Sequence, residues 1–226
     1  MITFENVTKK FPLGNIALEN ISFSIEDNEF IFLVGPSGAG KTTILKLILK
    51  EINPSEGSIL IDDLDITSKK FFNILSLRQN LGVVFQDFKI IYEKNVLENV
   101  AMSLLVLEKY SLPQIKEKVR EALVIVGLKD KEKFFPIQLS AGELQRVAIA
   151  RAIVGERKII LADEPTGNLD PKTTWEIMKI FKKIEGKKTI IFATHNADIV
   201  NSFQKRVLIL KDGKLIKDLR KGKYQL

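Results

Sequence analysis

The amino-acid sequence predicts an α/β fold with a largely parallel central sheet, an antiparallel β subdomain and a helical insert. Short apolar runs such as FIFLV, LGVVF, KIILA and TIIFA have the density of strands that are buried on both faces. Segments with helical apolar spacing separate these runs, as in βαβ units. Antiparallel-looking strands at both ends of the chain indicate the β subdomain, and a helix-rich block indicates the insert.

The elements are assigned in order along a single domain that spans residues 1–226. Strands of the N-terminal β subdomain fall within 1–30 and 57–66, and Glu29 to Val34 is a buried strand that ends in Gly-Pro. The segment KTTILKLILKEI follows with helical spacing. The helical insert occupies 88–156, where PQIKEKVREALVIVG has a proline near its start and a terminal glycine. A strand, a helix and a strand follow, and RVLILKDGKLIKDL closes the chain as a hairpin around Asp-Gly.

Composition and charge exclude several classes of protein. No apolar run reaches the ~18 residues that a membrane-spanning helix needs, and the start MITFENVTKKF lacks the apolar core of a signal peptide. From these two observations we expect a cytoplasmic protein. The absence of cysteine excludes disulfides, thiolate metal sites and cysteine catalysis, and it does not argue against the cytosol. The net charge is +7, and residues 204–226 carry eight Lys or Arg against two Asp. That basic segment is either a solvated surface or a contact for nucleic acid or anionic lipid.

A glycine-rich loop, GPSGAGKT from Gly35 to Thr42, fits the pattern G-x-x-x-x-G-K-[ST] and predicts a phosphate-binding site. Glycines let successive backbone N–H groups turn towards phosphate oxygens, and the N-terminus of the next helix adds its dipole. Lys41 would place a positive charge on the β- and γ-phosphates, and the Thr42 hydroxyl is a ligand for Mg²⁺. The alternative, a purely structural turn, is disfavoured because a buried strand precedes the loop and a helix follows it. The predicted binding residues are Gly35, Pro36, Ser37, Gly38, Ala39, Gly40, Lys41, Thr42 and Thr43.

Polar residues at the ends of three other predicted strands indicate the same site. Asp163 and Glu164 end IILADE, where Asp163 would hold Mg²⁺ and Glu164 would orient or deprotonate the attacking water. His195 ends TIIFATH, at the edge where α/β sheets bind ligands, and could donate a hydrogen bond to the γ-phosphate. Gln86 ends LGVVFQ and could bridge Mg²⁺ and water. Each has a structural alternative: a polar strand end, a structural histidine, or a buried or capping glutamine.

These motifs together resemble the nucleotide-binding subunit of ABC ATPases over essentially the full length of the chain. GPSGAGKT resembles the Walker A motif, Gln86 the Q-loop, LSAGELQ the signature motif, IILADE the Walker B motif, GNLD the D-loop and His195 the H-loop. The resemblance implies a P-loop NTPase fold with a RecA-like core, and a Mg²⁺-dependent ATPase whose cofactors are ATP and Mg²⁺. It also implies that Phe11 stacks on the adenine ring.

The segment LSAGELQ starts a helix and is also a candidate anion site. Ser140 can cap this helix, and Glu143 three residues later completes a capping box. A helix N-terminus with small residues attracts anions, but the chain's own phosphates already have the glycine-rich loop. The resemblance implies a head-to-tail homodimer in the ATP-bound state. Ser140, Gly142 and Glu143 of one copy would close on the ATP of the other, with Asp170 at the same junction.

The signature departs from the usual family pattern, L-S-G-G-[EQ]-Q-Q, at Ala141 and Leu144. Gly142, which must approach phosphate closely, is kept. Ala141 adds only a methyl group, and helix propensity favours alanine over glycine by up to ~1 kcal/mol. We therefore expect a working signature with slower closure.

Within the family, FQDFKIIYEKNVLENVAM and FPIQLSAGELQRVAIARAIV resemble the bacterial cell-division ATP-binding proteins. What is known of that group implies an FtsX-like integral membrane partner, through which ATP cycling signals to peptidoglycan hydrolases. It also implies a peripheral location on the cytoplasmic face of the plasma membrane. The expected docking segment follows Gln86 and includes Phe88, Ile90, Ile91 and Tyr92; alternatively, these side chains are buried in the chain's own core.

Two other functions are compatible with parts of the sequence. LADEPTGNLD is shared with the ATPases of lipoprotein-release and macrolide-type exporters, which have the same chemistry and a different partner. A soluble ABC clamp on nucleic acid or the ribosome would suit the +7 charge. Such clamps generally carry a second nucleotide domain or a long coiled-coil insert, and this sequence has neither. We therefore expect no specific nucleic-acid partner.

Overall fold

The computed structural model describes residues 1–12, 14–68 and 70–222, so the last four residues of the basic segment lie outside it. The strands are β1 (Ile2–Lys10), β2 (Ile16–Ile25), β3 (Phe30–Val34), β4 (Glu56–Ile61), β5 (Leu64–Asp65), β6 (Leu81–Val84), β7 (Ile159–Asp163), β8 (Thr189–Thr194), β9 (Arg206–Lys211) and β10 (Lys214–Leu219). The α-helices are α1 (Lys41–Ile48), α2 (Ile74–Gln79), α3 (Val96–Leu105), α4 (Leu112–Val126), α5 (Ala141–Ile153), α6 (Pro171–Ile184) and α7 (Ala197–Phe203). Short 3₁₀ turns lie at Lys129–Lys131 and Pro136–Gln138. Among the described helices, none combines the length and apolar character that a bilayer span requires.

The larger sheet is the predicted parallel core, with its strands in the order β10-β9-β3-β8-β7-β6. Every pair is parallel except β10 with β9. Strand β3 is buried on both faces: Phe30, Phe32 and Val34 belong to one hydrophobic core, and Ile31 and Leu33 to the other. Because successive strand residues alternate between faces, a strand buried on both faces is apolar at every position.

A smaller antiparallel sheet has the order β2-β1-β4-β5 and shares a hydrophobic core with one face of β3. Phe4 and Phe23 stack across β1 and β2, with their ring centroids 4.6 Å apart. The expectation that the C-terminal hairpin joins the antiparallel strands is wrong, because β9 pairs in parallel with β3 and β10 pairs with β9. An alternating pattern identifies a strand but does not determine which sheet it joins. The hairpin meets the smaller sheet where Glu19 N donates to the Gly213 carbonyl at 2.8 Å.

Helices α3, α4 and α5 contact one another and pack on one face of the parallel sheet. Local capping sets their ends. Asn95 and Glu98 form a reciprocal capping box at the start of α3, with both hydrogen bonds at 2.9 Å. Helix α4 has Pro113 in its first turn and ends at Gly127, whose φ of 72° is left-handed. Helix α5 lies against β6, so the signature segment and the strand that leads to Gln86 belong to neighbouring elements.

The parallel arrangement brings the ends of four strands to one edge of the sheet. Strands β3, β8, β7 and β6 run in the same direction, so the residues that follow them lie near one another. The chain continues from β3 into Gly35, from β7 into Glu164, from β8 into His195 and from β6 towards Gln86. Motifs that are far apart in the sequence therefore meet at one place.

Candidate active site

A cavity of about 560 Å³ lies at this edge of the parallel sheet. Its wall combines the glycine-rich loop with polar residues from three strand ends. The lining residues are Pro36, Ser37, Gly38, Gly40, Lys41, Thr42, Thr43, Gln86, Asp163, Glu164 and His195. Gly35 and Ala39, the remaining predicted loop residues, are buried and do not line the cavity.

The turn into α1 depends on Gly40. Its φ of 107° lies in the left-handed region, where a side chain is disfavoured. A Cβ atom here would also lie 2.6 Å from Cδ2 of Leu18. The helix begins directly afterwards, and its first residues, Lys41, Thr42 and Thr43, border the cavity. The first N–H groups of any helix lack intrahelical partners, so this helix start favours an anion in the cavity.

The ammonium group of Lys41 is nearly buried, with 8% of the side chain exposed. Its Nζ donates to the carbonyl oxygens of Gly35 at 2.8 Å and Pro36 at 3.1 Å. It also lies 3.6 Å from Oε1 of Glu164. Phosphate oxygens carry more negative charge than carbonyl oxygens and form shorter, stronger hydrogen bonds to an ammonium group. Lys41 is therefore a cation placed to receive a phosphate.

The carboxylate of Glu164 links Lys41 to His195, because its Oε1 also lies 2.9 Å from His195 Nδ1. Glu164 has a φ of 46°, which is uncommon for any residue other than glycine. Its N–H donates to the Ala193 carbonyl at 3.0 Å, and its own carbonyl accepts the N–H of Gly167 at 3.1 Å. Strained backbone of this kind is concentrated at functional sites. This backbone conformation places the Glu164 carboxylate between a cation and an imidazole.

Asp163 contributes a second carboxylate to the cavity wall. Its Oδ1 is buried and has no hydrogen-bond partner in the part of the chain that the structure describes. Burial raises the pKa of Asp163 above its ordinary value; a hydrogen bond with Thr42 opposes this rise, and the charge of Glu164 adds to it. Buried polar atoms without a partner are rare, and a carboxylate oxygen beside a threonine hydroxyl matches the oxygen ligands that hard divalent cations prefer.

Comparison with known proteins identifies the family. Residues 18–167 match the ABC transporter family. The chain belongs to the ABC transporter family. It is 47% identical over 226 residues to the cell division ATP-binding protein FtsE of Bacillus subtilis (strain 168), covering 99% of this chain and 98% of that protein. It is 43% identical over 216 residues to FtsE of Escherichia coli (strain K12), covering 95% and 97%.

Solved structures of ABC transporter cassettes have the same architecture as this chain. The dimeric structure of MJ0796, a bacterial ABC transporter cassette, has a TM-score of 0.88 and 35% identity, and the match covers 99% of this chain and all of that one. MJ0796 in a post-hydrolysis state with ADP and Pi has the same TM-score and 34% identity. The relatives and structures confirm the predicted ABC fold, the ATPase activity and the cell-division type of this subunit.

In this ABC ATPase the segment LSAGELQ starts helix α5 and lies away from the cavity wall. The predicted capping box is confirmed: Ser140 Oγ accepts the N–H of Glu143 at 3.3 Å, and Glu143 Oε2 accepts the N–H of Ser140 at 2.9 Å. Oε1 of Glu143 pairs with Lys131. Burial opposes ionisation of Glu143, but the bonds from Lys131 and Ser140 outweigh it and lower the pKa below its ordinary value. Ser140 itself is exposed.

Gly142 and Asp170 meet through Thr173 of helix α6. A Cβ atom on Gly142 would lie 2.4 Å from Cγ2 of Thr173, so this glycine is required for packing within the chain. Asp170 caps α6 by accepting the N–H of Thr173 at 3.1 Å. Neither Gly142 nor Asp170 lines the cavity. Their predicted contacts with the ATP of a second copy stay predictions.

Phe11 lies outside the cavity wall and is 36% exposed. The ammonium group of Lys9 sits 5.2 Å from its ring centroid. A partly exposed ring can stack on a nucleotide base. Its predicted role as the adenine contact stays a prediction.

The segment after Gln86 is divided between the core and the surface. Ile90 packs against the hydrophobic core beneath the helical layer, which agrees with the alternative that these side chains are buried in the chain's own core. Phe88 and Ile91 are half-buried, whereas Tyr92 is 60% exposed. Tyr92 is therefore the most accessible of the four predicted docking residues.

Two contacts of the site were not predicted from the sequence. Nε2 of Gln86 donates to Oδ1 of Asn168 at 3.4 Å, and Nε2 of Gln145 donates to the Pro165 carbonyl at 2.5 Å. Asn168 lies within the GNLD segment, a few residues after the Walker B motif, and this position could have indicated a contact with Gln86. Gln145 is a polar residue between apolar positions of a helix, a pattern that indicates a buried hydrogen bond.

We expect Lys41→Ala to weaken ATP binding by about 1.5–3 kcal/mol, because a buried charge-assisted contact is lost. This corresponds to about 10- to 150-fold in Kd, measurable by isothermal titration calorimetry. Lys46→Ala is the matched control, since Lys46 is exposed on the same helix and does not line the cavity. Equal affinity in the two variants would contradict the assignment of the phosphate loop.

Proposed function

We propose that this chain is the ATP-binding and hydrolysing subunit of a bacterial cell-division complex, in which two copies close on ATP and drive an FtsX-like integral membrane protein. The observation that carries the proposal is the meeting of Lys41, Asp163, Glu164 and His195 around one cavity. Relatives named cell division ATP-binding protein FtsE, aligned over nearly the whole chain, support the cellular role. The subunit would work as a peripheral protein on the cytoplasmic face of the plasma membrane.

The glycine-rich loop would hold the phosphates of ATP, with the helix start and Lys41 offsetting their charge. Phe11 would stack on the adenine ring. Ser37, Gly38 and Gly40 line the cavity beside the first turn of α1, which supports a wrapped phosphate chain. The site thus combines backbone N–H groups, a helix dipole and one lysine.

The residues present fit Mg²⁺, since Oδ1 of Asp163 is a buried oxygen to which none of the described residues donates a hydrogen bond. Thr42, Asp163 and Gln86 would hold the ion, which when bound would polarise the phosphate oxygens. Within the described part of the chain, no group of three or more His, Asp or Glu is arranged for a metal. Phosphate oxygens and water would complete the ligands, as is usual for Mg²⁺.

Glu164 is the proposed general base. The water oxygen forms a bond to the γ-phosphorus as the bond from that phosphorus to the ADP oxygen breaks, and Glu164 takes the proton of the water. His195 is placed to contact the γ-phosphate, and Gln86 to contact the metal and water. Glu164 here pairs with Lys41 at 3.6 Å. Phosphate oxygens that bind Lys41 would release the carboxylate for this task.

A second copy of the chain would complete each site. Ser140 is exposed at the start of α5, where a helix N-terminus favours an anion. Ser140, Gly142 and Glu143 of one copy would close on the γ-phosphate held by the other, with Asp170 at the junction. The dimeric cassette structure of MJ0796, at 35% identity, supports this arrangement.

The membrane partner would dock beside the segment that follows Gln86. A groove of about 360 Å³ lies there, lined by Arg78, Phe85, Lys89, Arg151 and Arg157 among others. Arg151 fixes the segment, because it donates to the carbonyls of Phe88 at 2.7 Å and Lys89 at 2.5 Å. The basic lining suits a partner helix with acidic side chains. Phe88, Ile91 and Tyr92 would supply apolar contacts, while Ile90 supports the segment from the core.

We expect Glu164→Gln to lower ATP turnover by about 10²–10⁴-fold and to retain ATP, because the amide cannot accept the proton of the attacking water. Phosphate release and ATP binding are measured on the same sample. Glu117→Gln, an exposed change on α4, is the control. Wild-type turnover in Glu164→Gln would remove Glu164 from the role of base.

We expect Tyr92→Ala to reduce recovery of the membrane partner at least about fivefold, since an exposed tyrosine at an interface commonly contributes more than 1 kcal/mol. The measurement is a pull-down from native membranes with the Glu164→Gln chain, which holds the ATP state. Ile216→Ala removes an apolar residue on β10 that is 52% exposed, against 60% for Tyr92, and should leave recovery unchanged. Recovery of a lipoprotein-release permease in place of an FtsX-like protein would contradict the proposed complex.

A further inference from the structure

Gln145 makes an unusual buried contact on the side of α5 that faces the loop after β7, which contains Glu164 and Pro165. Its side chain is fully buried, and Nε2 donates to the Pro165 carbonyl at 2.5 Å. Its Oε1 is also buried but has no hydrogen-bond partner within the described ranges 1–12, 14–68 and 70–222. Leu144 and Val147 on the same helix are ordinary apolar core residues. Among the residues that the structure describes, the bond to Pro165 is thus the only hydrogen bond of this amide.

An amide in this position is costly, because its buried carbonyl oxygen is left without a donor. A leucine or methionine of similar volume would avoid the unpaired oxygen. Packing alone therefore does not account for the residue. The bond to the loop is what distinguishes glutamine from an apolar side chain here.

The carbonyl that Gln145 holds belongs to the residue directly after Glu164. Pro165 has no N–H, so its carbonyl is the only backbone group through which a hydrogen bond can fix it. Glu164 adopts a strained φ of 46°, and strained residues persist only where neighbouring contacts over-determine them. The bonds of Glu164 with Ala193 and Gly167 fix its own peptide groups, and the bond from Gln145 fixes the next one.

We infer that Gln145 is a positioning residue, which holds the loop after β7 so that the Glu164 carboxylate stays directed at the attacking water. The inference rests on the proposed role of Glu164 as general base. Gln145 acts through the backbone, since it does not line the cavity. It also lies five residues after Ser140 on one helix, about 7.5 Å along its axis. Helix α5 therefore carries the signature residue Ser140 at its start and, about one and a half turns later, the residue that supports the loop after β7.

The test replaces Gln145 with leucine, which keeps the volume and removes the donor. We expect kcat for ATP hydrolysis to fall about tenfold, because small misplacement of a catalytic group is costly. KM and the Kd for ATP should change less than twofold, because the phosphate loop is untouched. Unchanged kcat, or a loss of ATP affinity equal to the loss of kcat, would overturn the inference.

Two comparisons separate positioning from general destabilisation. Ile153→Val removes a methyl group from the buried far end of the same helix, and it should lower Tm while kcat stays at the wild-type level. In a Glu164→Gln background, Gln145→Leu should cause no further loss of turnover, because its effect passes through Glu164. The same tenfold loss in that background would show that Gln145 acts elsewhere.

A second variant covers the case in which Gln145→Leu does not fold. Gln145→Glu donates to Pro165 only when its carboxyl group is protonated, and burial raises the pKa of such a group. The ratio of its kcat to that of the wild type should therefore rise as pH falls. A ratio that is independent of pH would contradict the positioning role. If Glu164→Gln turns over ATP slowly while Gln145→Leu turns it over at the wild-type rate, this inference is refuted and the proposed base stands. If Glu164→Gln turns over ATP at the wild-type rate, the proposed base is itself refuted.

Discussion

The nearly buried ammonium group of Lys41 is the feature on which the rest of the site depends. A cation removed from water needs compensating oxygen atoms, and here it has two loop carbonyls and the Glu164 carboxylate. ATP phosphates offer a stronger partner than this carboxylate. In our proposal, the group that binds the nucleotide therefore also controls when Glu164 becomes available to water. Nucleotide binding and hydrolysis are then coupled, because the Lys41 ammonium group pairs either with Glu164 or with the phosphates.

The fold brings the partners of Lys41 together by placing four strand ends side by side. Strands β3, β8, β7 and β6 are parallel, so the loop, both carboxylates, the histidine and the glutamine meet at one edge. Two backbone features then set the fine geometry. Gly40 takes a left-handed conformation at the start of α1, and Glu164 takes one at the end of β7. Burial of β3 on both faces gives the edge a rigid base.

The sequence predicted the parts of the site that depend on local pattern and strand order. The glycine-rich loop, the two carboxylates, Gln86 and His195 were found because each follows an apolar strand, and parallel strands bring such ends together. The sheet joined by the C-terminal hairpin was assigned wrongly, since alternation does not encode the pairing partner. The contact between Gln145 and Pro165 depends on how α5 packs on the loop after β7. Long-range packing of this kind leaves only a weak signal, a polar residue among apolar ones.

The structure also accounts for why one chain is an incomplete enzyme in our proposal. The phosphate loop and the base lie at the cavity, while the exposed signature serine lies elsewhere on the same chain. The most direct test of this account is a crystal structure of the Glu164→Gln chain with ATP and Mg²⁺. We expect two copies head to tail, with Ser140 of each within hydrogen-bond distance of the γ-phosphate held by the other. ATP contacted by residues of one copy alone, with Ser140 in solvent, would contradict it.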